Sequence, residues 1–340
     1  MPQLAPPLPS APDIAIARRG DARRAYIAVA AVFLTGLGFS CYDSAMSVLA
    51  ALNGLSSSVA NWYNNNFGLL AALPLAGGLL AVGALVLLPG SDQRRMLPHS
   101  IRIPVATLHV VAAAALIAWL AISSVPTDSM LVHDTLMAAV TVYLGGLLVL
   151  RWNLSLRQVG LRPSTDRPES VAVFVWSWMG LAVASALFEV LTTDLSPSMI
   201  SNQVSVGSDP AMWYTALDSL ANAVLEEVGC VVLVCLALER VGRRRWEILA
   251  LAGVMRTLMH GYYGWGALGA LAFGVPNAYL FLTRRRLLPL VLAHTAIDTL
   301  AFAYNLTVGQ RFLFGLFGGL LVWVLTWAVF RPTTAAQGNS

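Results

Sequence analysis

The sequence has no lysine and little charge of either sign. Only 11% of its 340 residues are charged, and all 21 basic side chains are arginines. Its 57% hydrophobic content and mean hydropathy of +0.70 lie outside the range of ordinary soluble domains. The three cysteines, Cys41, Cys230 and Cys235, form neither an even-numbered disulfide framework nor a cluster with metal-ligand spacing. The composition therefore excludes a disulfide-stapled secreted domain and indicates a protein embedded in lipid.

The apolar residues fall into long segments, most of which reach the ~20 residues that a membrane-spanning helix needs. We predict an all-α, polytopic membrane helix bundle with about 8–10 transmembrane helices. The predicted helical segments are 25–48, 67–89, 103–125, 135–151, 170–192, 212–239, 247–260, 265–283, 287–305 and 312–330. Prolines and arginines dominate residues 1–24, which we predict to be a disordered cytoplasmic tail.

The arginines lie in alternate connections between these segments. They occur in the N-terminal tail, at 94–102, 151–167, 240–245 and 284–286, and at 331, whereas the connections 126–134 and 193–211 carry aspartates and no arginine. Cytoplasmic loops are rich in basic residues, so both termini are expected to be cytoplasmic, in a multi-pass protein of the inner (cytoplasmic) membrane. The net charge of +4 is thus explained by topology, and we expect no nucleic-acid partner.

Residues 247–283 are too short to form two comfortable spans, and a glycine- and aromatic-rich break at 261–266 divides them. Both flanks carry arginines that look cytoplasmic, so this stretch is expected to be a hairpin or a re-entrant pair. Irregular backbone at membrane depth is tolerated only where it is buried in protein or lines a wet cavity. The break therefore indicates the neighbourhood of a site.

Six ionisable side chains stand within the predicted membrane helices near this break, although a central charge costs ~2.5–3.5 kcal/mol on insertion scales. They are Glu226, Glu227, Arg256, His260, His294 and Asp298. Counted from the basic ends of their helices at 1.5 Å per residue, the acidic and histidine side chains reach similar depths. Three helical segments are thus expected to bring carboxylates and imidazoles to one level of the membrane.

These residues carry a resemblance to a known family. Glu226-Glu227 followed by Val231, Arg256 followed by His260, and His294 followed by Asp298 are similar to the EExxxR, FxxxH and HxxxN/D motifs of CAAX-protease and bacteriocin-processing (CPBP) intramembrane glutamic endopeptidases. A Val-Gly-Leu-Arg-Pro phrase at 159–163 resembles an upstream element of the family. The resemblance covers about 150–305. It implies a protease core at 153–310. The apolar segments on either side predict N-terminal transmembrane helices at 25–152, and a last transmembrane helix and cytoplasmic tail at 311–340.

The sequence departs from the motifs at two positions. Val231 replaces the motif arginine, and Arg256 replaces the motif phenylalanine. An arginine four residues after Glu227 would share its helix face and balance its charge. We predict that Arg256 supplies this charge from the neighbouring helix; the alternative is that Arg256 reaches a cavity facing the cytoplasm.

The resemblance implies an endopeptidase that cleaves a membrane-associated protein or peptide without a metal or other cofactor. Glu226 would activate water, His260 would hold the water and protonate the leaving amine, and His294 with Asp298 would form the oxyanion side. Glu227 and Arg256 would support them. A zinc site built from the same glutamate and histidines is a less favoured alternative. A catalytically silent scaffold and a proton-coupled transporter are the rival functions. The sequence does not set the substrate, the cleavage position or the oligomeric state.

Overall fold

The computed structural model describes residues 19–53, 67–87, 99–122, 130–161, 167–195 and 212–303, with a few positions between 310 and 324. Within these ranges all regular structure is helical and no strand occurs. The predicted all-α fold is confirmed. The predicted segment 312–330 and both chain ends lie largely outside the described residues.

The described helices follow the predicted segments closely. They are α1 (Arg19–Asn53), α2 (Phe67–Leu87), α3 (His99–Ile122), α4 (Met130–Arg151), α5 (Arg167–Leu195), α6 (Met212–Glu226), α7 (Leu233–Arg240), α8 (Arg245–Met259), α9 (Leu271–Arg284) and α10 (Leu287–Ala303). The first helix begins at Arg19 rather than at residue 25, because its arginines and alanines favour helix and extend it beyond the apolar segment.

Four stretches of the described chain are long and apolar enough to cross a membrane. They are Asp134–Arg151, Pro168–Phe188, Met212–Arg240 and Tyr263–Arg284, and shorter apolar helical stretches run over Ala76–Leu85, Ile103–Ala115 and Leu287–Leu300. The protein is therefore a polytopic helical membrane protein.

The most buried span contains a change of helix type that the sequence did not predict. Residues 212–239 were expected to be one regular helix, but α6 ends at Glu226 and a single turn of π-helix, Glu227–Val232, connects it to α7. The wider turn rotates everything that follows relative to an unbroken α-helix, and such turns are frequent at functional sites. It begins between the two adjacent glutamates.

The predicted hairpin at 247–283 is present. Helix α8 runs inward for 15 residues, roughly 22 Å, and is followed by a 3-10 segment, Gly261–Ala270, and by α9, which packs back against α8. Both outer ends of the hairpin lie on the same side, where Arg285 pairs with Glu239 at the end of α7. The irregular tip packs against α5 and α1, while the side chains of Trp265 and Leu268 stay exposed on its outer face.

Helix α1 packs against this hairpin although it is distant in sequence. It contacts α2 and α4 and also the π-helical turn, α8 and the 3-10 segment. The hydroxyl of Ser44 on α1 donates a hydrogen bond of 3.1 Å to the carbonyl of Met259, the last residue of α8. One hydrophobic cluster combines residues of α1 and α4 with residues of α6 to α10. The N-terminal helices thus help to hold the end of α8.

The Val-Gly-Leu part of the 159–163 phrase forms a backbone contact with the connection between α9 and α10. Gly160 accepts a hydrogen bond from the amide of Leu287 at 3.2 Å and has a φ of 80°. A Cβ atom at Gly160 would lie 2.8 Å from that amide nitrogen and 3.1 Å from the carbonyl of Arg285. A glycine is required here both for the left-handed conformation and for the close approach.

We predict that Gly160→Ala lowers stability more than Gly242→Ala. Both glycines have positive φ, which costs a substituted residue ~1 kcal/mol or more. Only Gly160 has backbone atoms in the way, since Gly242 faces open space, so Gly160→Ala should lose at least ~1 kcal/mol more. Thermal unfolding of the two variants in detergent measures this difference, and equal losses would contradict the proposed backbone contact.

Candidate active site

A buried guanidinium joins two carboxylates at the centre of the bundle. Arg256 on α8 has no exposed side-chain surface, and its Nε lies 3.1 Å from Glu226 Oε2 while its Nη2 lies 2.7 Å from Glu227 Oε1. Glu226 is the last residue of α6 and Glu227 the first of the π-helical turn. The predicted contact between Arg256 and the glutamate pair is present. The alternative, that Arg256 reaches a cytoplasm-facing cavity, is wrong because the side chain is enclosed.

Glu227 is engaged through both of its oxygens. Its Oε1 accepts a hydrogen bond from Arg256 and lies 3.0 Å from Nδ1 of His294, and its Oε2 accepts a hydrogen bond of 3.2 Å from Asn277 Nδ2. These three partners come from three different helices. The arrangement fixes the Glu227 carboxylate and leaves it little freedom to accept a further proton or a water.

Glu226 has a different environment although it is adjacent in sequence. Its Oε2 forms the ion pair with Arg256 and lies 3.9 Å from His294 Nε2, but within the described part of the chain no donor reaches it with hydrogen-bond geometry. Its side chain is 3% exposed. Glu226 therefore lies beside a fixed positive charge and still retains an oxygen that can accept a hydrogen bond.

His294 stands between the glutamates and Asp298. Its Nε2 lies 3.2 Å from Asp298 Oδ2, and its Nδ1 lies 3.2 Å from Arg256 Nη2 as well as 3.0 Å from Glu227. If Nδ1 carries the hydrogen, it donates to Glu227. If Nε2 carries it, Nε2 donates to Asp298 and Nδ1 accepts from Arg256. The ring has hydrogen-bond partners in either tautomer.

Asp298 is more accessible than His294, with 22% of its side chain exposed against 5%. It lies one helical turn beyond His294 on α10. Of this hydrogen-bonded pair, Asp298 is therefore the partly exposed end.

His260 follows the last residue of α8, at the point where the hairpin turns. Its Nδ1 lies 2.8 Å from the carbonyl of Arg256, to which it can donate, and its ring stacks on Tyr263 with centroids 6.3 Å apart. It lies within electrostatic range of Glu226, Arg256 and His294. Donation by Nδ1 leaves Nε2 as the nitrogen that can take up or release a proton.

Two residues of α9 contact the ion cluster, which consists of Glu226, Glu227, Arg256, His294 and Asp298. Sequence reasoning missed both of them. The Phe273 ring lies under the Arg256 guanidinium, 4.0 Å from Cζ, and meets the His294 ring edge-on at 5.0 Å. Asn277, four residues later on the same face, donates to Glu227 and is fully buried. A lone amide in an otherwise apolar part of a helix was the signal that could have identified it.

The described residues contain no group of three or more histidine, cysteine or acidic side chains arranged to hold a metal ion. The zinc alternative needs a free nitrogen on His294, but both ring nitrogens face protein partners and a guanidinium lies beside them. This donor set does not fit a zinc ion without rearrangement.

Residues 208–300 match the family model described as Type II CAAX prenyl endopeptidase Rce1-like. This part of the chain is therefore similar to that family. This agrees with the resemblance to the CPBP family, and Glu226, Glu227, Arg256, His260 and the His294–Asp298 pair all lie within the matched segment. The match covers less than a third of the chain and leaves α1 to α5 outside it. No curated protein and no solved structure matches the chain significantly.

We predict that Arg256→Met strongly destabilises the protein. Removing the guanidinium leaves two buried carboxylates side by side without a counter-charge, which costs ~3–5 kcal/mol. The control is Arg243→Met, because Arg243 contacts Glu247 and Tyr26 at the surface, where water screens such interactions. Thermal unfolding in detergent compares the two, and similar small losses would show that the Arg256 ion pair is not formed.

A charge exchange tests whether Arg256 replaces the arginine of the family motif. Val231 is fully buried in the π-helical turn that contains Glu227. We expect Arg256→Phe alone to lose stability and the double variant Val231→Arg/Arg256→Phe to regain part of it, since the double change restores the motif residues at both positions. If the second substitution worsens the first, the two positions are not equivalent.

Proposed function

We propose that this protein is an intramembrane endopeptidase that hydrolyses a peptide bond in a membrane-associated protein or peptide, with Glu226 as the base. The observation that carries the proposal is the unequal environment of the adjacent glutamates. Glu227 is held by three partners, whereas Glu226 has an oxygen without a hydrogen-bond donor among the described residues. The match of 208–300 to a prenyl endopeptidase family supports a peptidase chemistry.

Glu226 would take a proton from water while the water oxygen attacks the carbonyl carbon of the scissile bond. The Arg256 ion pair would hold the Glu226 carboxylate beside a fixed positive charge before the reaction. His260, whose ring is oriented by the hydrogen bond to the Arg256 carbonyl, would hold the water and later give a proton to the leaving amine. The last turn of α8 would thus position both Arg256, which pairs with the base, and His260, which gives a proton to the leaving amine.

His294 and Asp298 would form the side that receives the developing oxyanion. With Nε2 protonated, His294 can donate either to Asp298 or to a substrate oxygen in the same direction. The partial exposure of Asp298 is consistent with substrate entering at this edge. The substrate would be a polypeptide held at or in the bilayer, because the cluster lies within apolar helices rather than on a water-exposed surface.

The arginine distribution supports a cytoplasmic-membrane location with both termini in the cytoplasm. A lipid-modified C-terminal peptide is one substrate class, suggested by the prenyl endopeptidase activity for which the matched family is named. A catalytically silent scaffold and a proton-coupled transporter are the competing functions, and the following experiment separates both from a peptidase.

We predict that Glu226→Gln abolishes the appearance of specific protein termini in the membrane fraction. Glutamine keeps the size of the side chain but cannot accept the proton from water. Mass spectrometry of protein termini would compare cells carrying wild type, Glu226→Gln and the surface control Glu169→Gln, which disturbs partly exposed pairs with Arg284 and Arg286.

Termini that are present with wild type and the control but lost with Glu226→Gln support the peptidase. If no terminus depends on Glu226 while deletion of the whole gene changes the abundance of partner proteins, the scaffold is supported. Proton-coupled uptake by proteoliposomes would support the transporter.

The zinc alternative is tested separately with the purified protein. Dialysis against a chelator should leave cleavage unchanged if the glutamate and histidine residues act without a metal. Loss of cleavage that zinc alone restores would overturn the metal-free proposal and assign ligand roles to the same side chains.

A further inference from the structure

Helix α9 provides a second layer of contacts behind the ion cluster. Asn277 Nδ2 donates to Glu227 Oε2 at 3.2 Å, on the opposite oxygen from the one that binds Arg256 and His294. Phe273, one turn earlier, supports both the Arg256 guanidinium and the His294 ring. Gly274 lies against the Arg256 stem, where a Cβ atom would be 3.0 Å from Arg256 Cβ, so α8 and α9 approach closely at this level.

We propose that Asn277 is a positioning residue for the reaction, acting through Glu227 on Arg256 and His294. The proposal rests on the proposed peptidase function. In this proposal Asn277 does not act on a reacting group directly. Its contribution is to fix the rotation of the Glu227 carboxylate. The orientation of that carboxylate sets the positions of the two donors that share its Oε1.

The carboxylate of Glu227 is the common acceptor for groups from α8 and α10. With Oε2 held by α9, Oε1 has one position in which it accepts from Arg256 and meets His294 Nδ1. Without the amide, the carboxylate can rotate, and the balance between the two His294 tautomers changes because Nδ1 loses a fixed acceptor. The Arg256 guanidinium, which also pairs with Glu226, would shift with it.

A purely structural role is the competing explanation, since a buried amide also satisfies a buried carboxylate and stabilises helix packing. The two roles differ in what they predict for His294. If Asn277 only supports packing, weakening the contact between α8 and α9 elsewhere should have the same effect. Val275→Ala provides this control, because Val275 packs against Gly253 of α8 and its apolar side chain cannot take part in the hydrogen bonds of the ion cluster.

The first experiment is nitrogen NMR of the full-length protein in lipid nanodiscs with labelled histidine side chains. The His294 signals are assigned by their loss in His294→Gln, and His109, which bonds to the carbonyl of Val105 outside the cluster, is the internal reference. We expect Asn277→Ala to shift the His294 Nδ1 signal and leave His109 unchanged. Val275→Ala should shift neither.

The second experiment measures the rate at which Glu226-dependent termini form. Asn277→Ala should slow it roughly 10- to 100-fold, as expected when reacting groups lose their alignment. Asn277→Asp keeps the size of the side chain and can donate only while its new carboxyl is protonated. We expect activity of Asn277→Asp at acidic pH and its loss as pH rises, whereas wild type should show no such loss over the same range.

The outcomes distinguish the positioning role of Asn277 from the proposed peptidase function. An unchanged His294 signal in Asn277→Ala, or a shifted signal with an unchanged cleavage rate, overturns the positioning role while Glu226-dependent cleavage still supports the peptidase. A shifted signal without any Glu226-dependent terminus in wild type overturns the peptidase but confirms that Asn277 sets the geometry of the cluster. An equal His294 shift in Val275→Ala would assign Asn277 to packing.

Discussion

The ion pair that Arg256 forms with Glu226 and Glu227 is the interaction on which the rest of the site depends. All three side chains are almost completely enclosed. Taking such charges out of water is costly, and their mutual attraction offsets that cost only when the geometry is good and the remaining polar atoms find partners. Asn277, His294 and the Phe273 ring supply part of these contacts from two further helices. Among the described residues, Arg256 Nε and Nη1 and Glu226 Oε2 have no hydrogen-bond partner. The ion pair therefore dictates how α6, α8, α9 and α10 must fit together.

The balance of charge within this cluster makes the two glutamates unequal. Glu226, Glu227 and Asp298 can carry three negative charges, and Arg256 carries one permanent positive charge. His294, placed between Glu227 and Asp298, is the group that can adjust by gaining or moving a proton. Even with a protonated imidazole, the two cations offset only two of the three possible negative charges. The proton content of His294 therefore decides how much charge stays uncompensated within the bundle.

Much of the fold followed from the sequence because apolar length and arginine placement are local signals. The bounds of α2, α4 and α10 lie within a few residues of the predicted segments, and the hairpin was indicated by two halves too short to span. The π-helical turn at Glu227–Val232 was not predictable, since its residues fit a regular helix equally well. The contribution of Asn277 also escaped prediction, because a hydrogen bond across fifty positions of sequence depends on how α9 packs. The contact of Ser44 with the end of α8 escaped for the same reason.

Moving the arginine from the glutamate helix to α8 changes what controls the site. An arginine at position 231 would be anchored to the same helix as Glu227, so the charge balance would be a local property of that helix. With Arg256 on α8, the glutamates are balanced by a side chain four residues before His260, and the carbonyl of Arg256 itself lies against the His260 ring. The position of α8 then determines where both the Arg256 guanidinium and the His260 ring lie. Ser44 of α1 bonds to the carbonyl that immediately precedes His260, so a helix outside the Rce1-like segment also helps to define this position. Because valine stands at 231 and arginine at 256, the positions of the candidate catalytic residues depend on the hairpin and, through it, on the N-terminal helices.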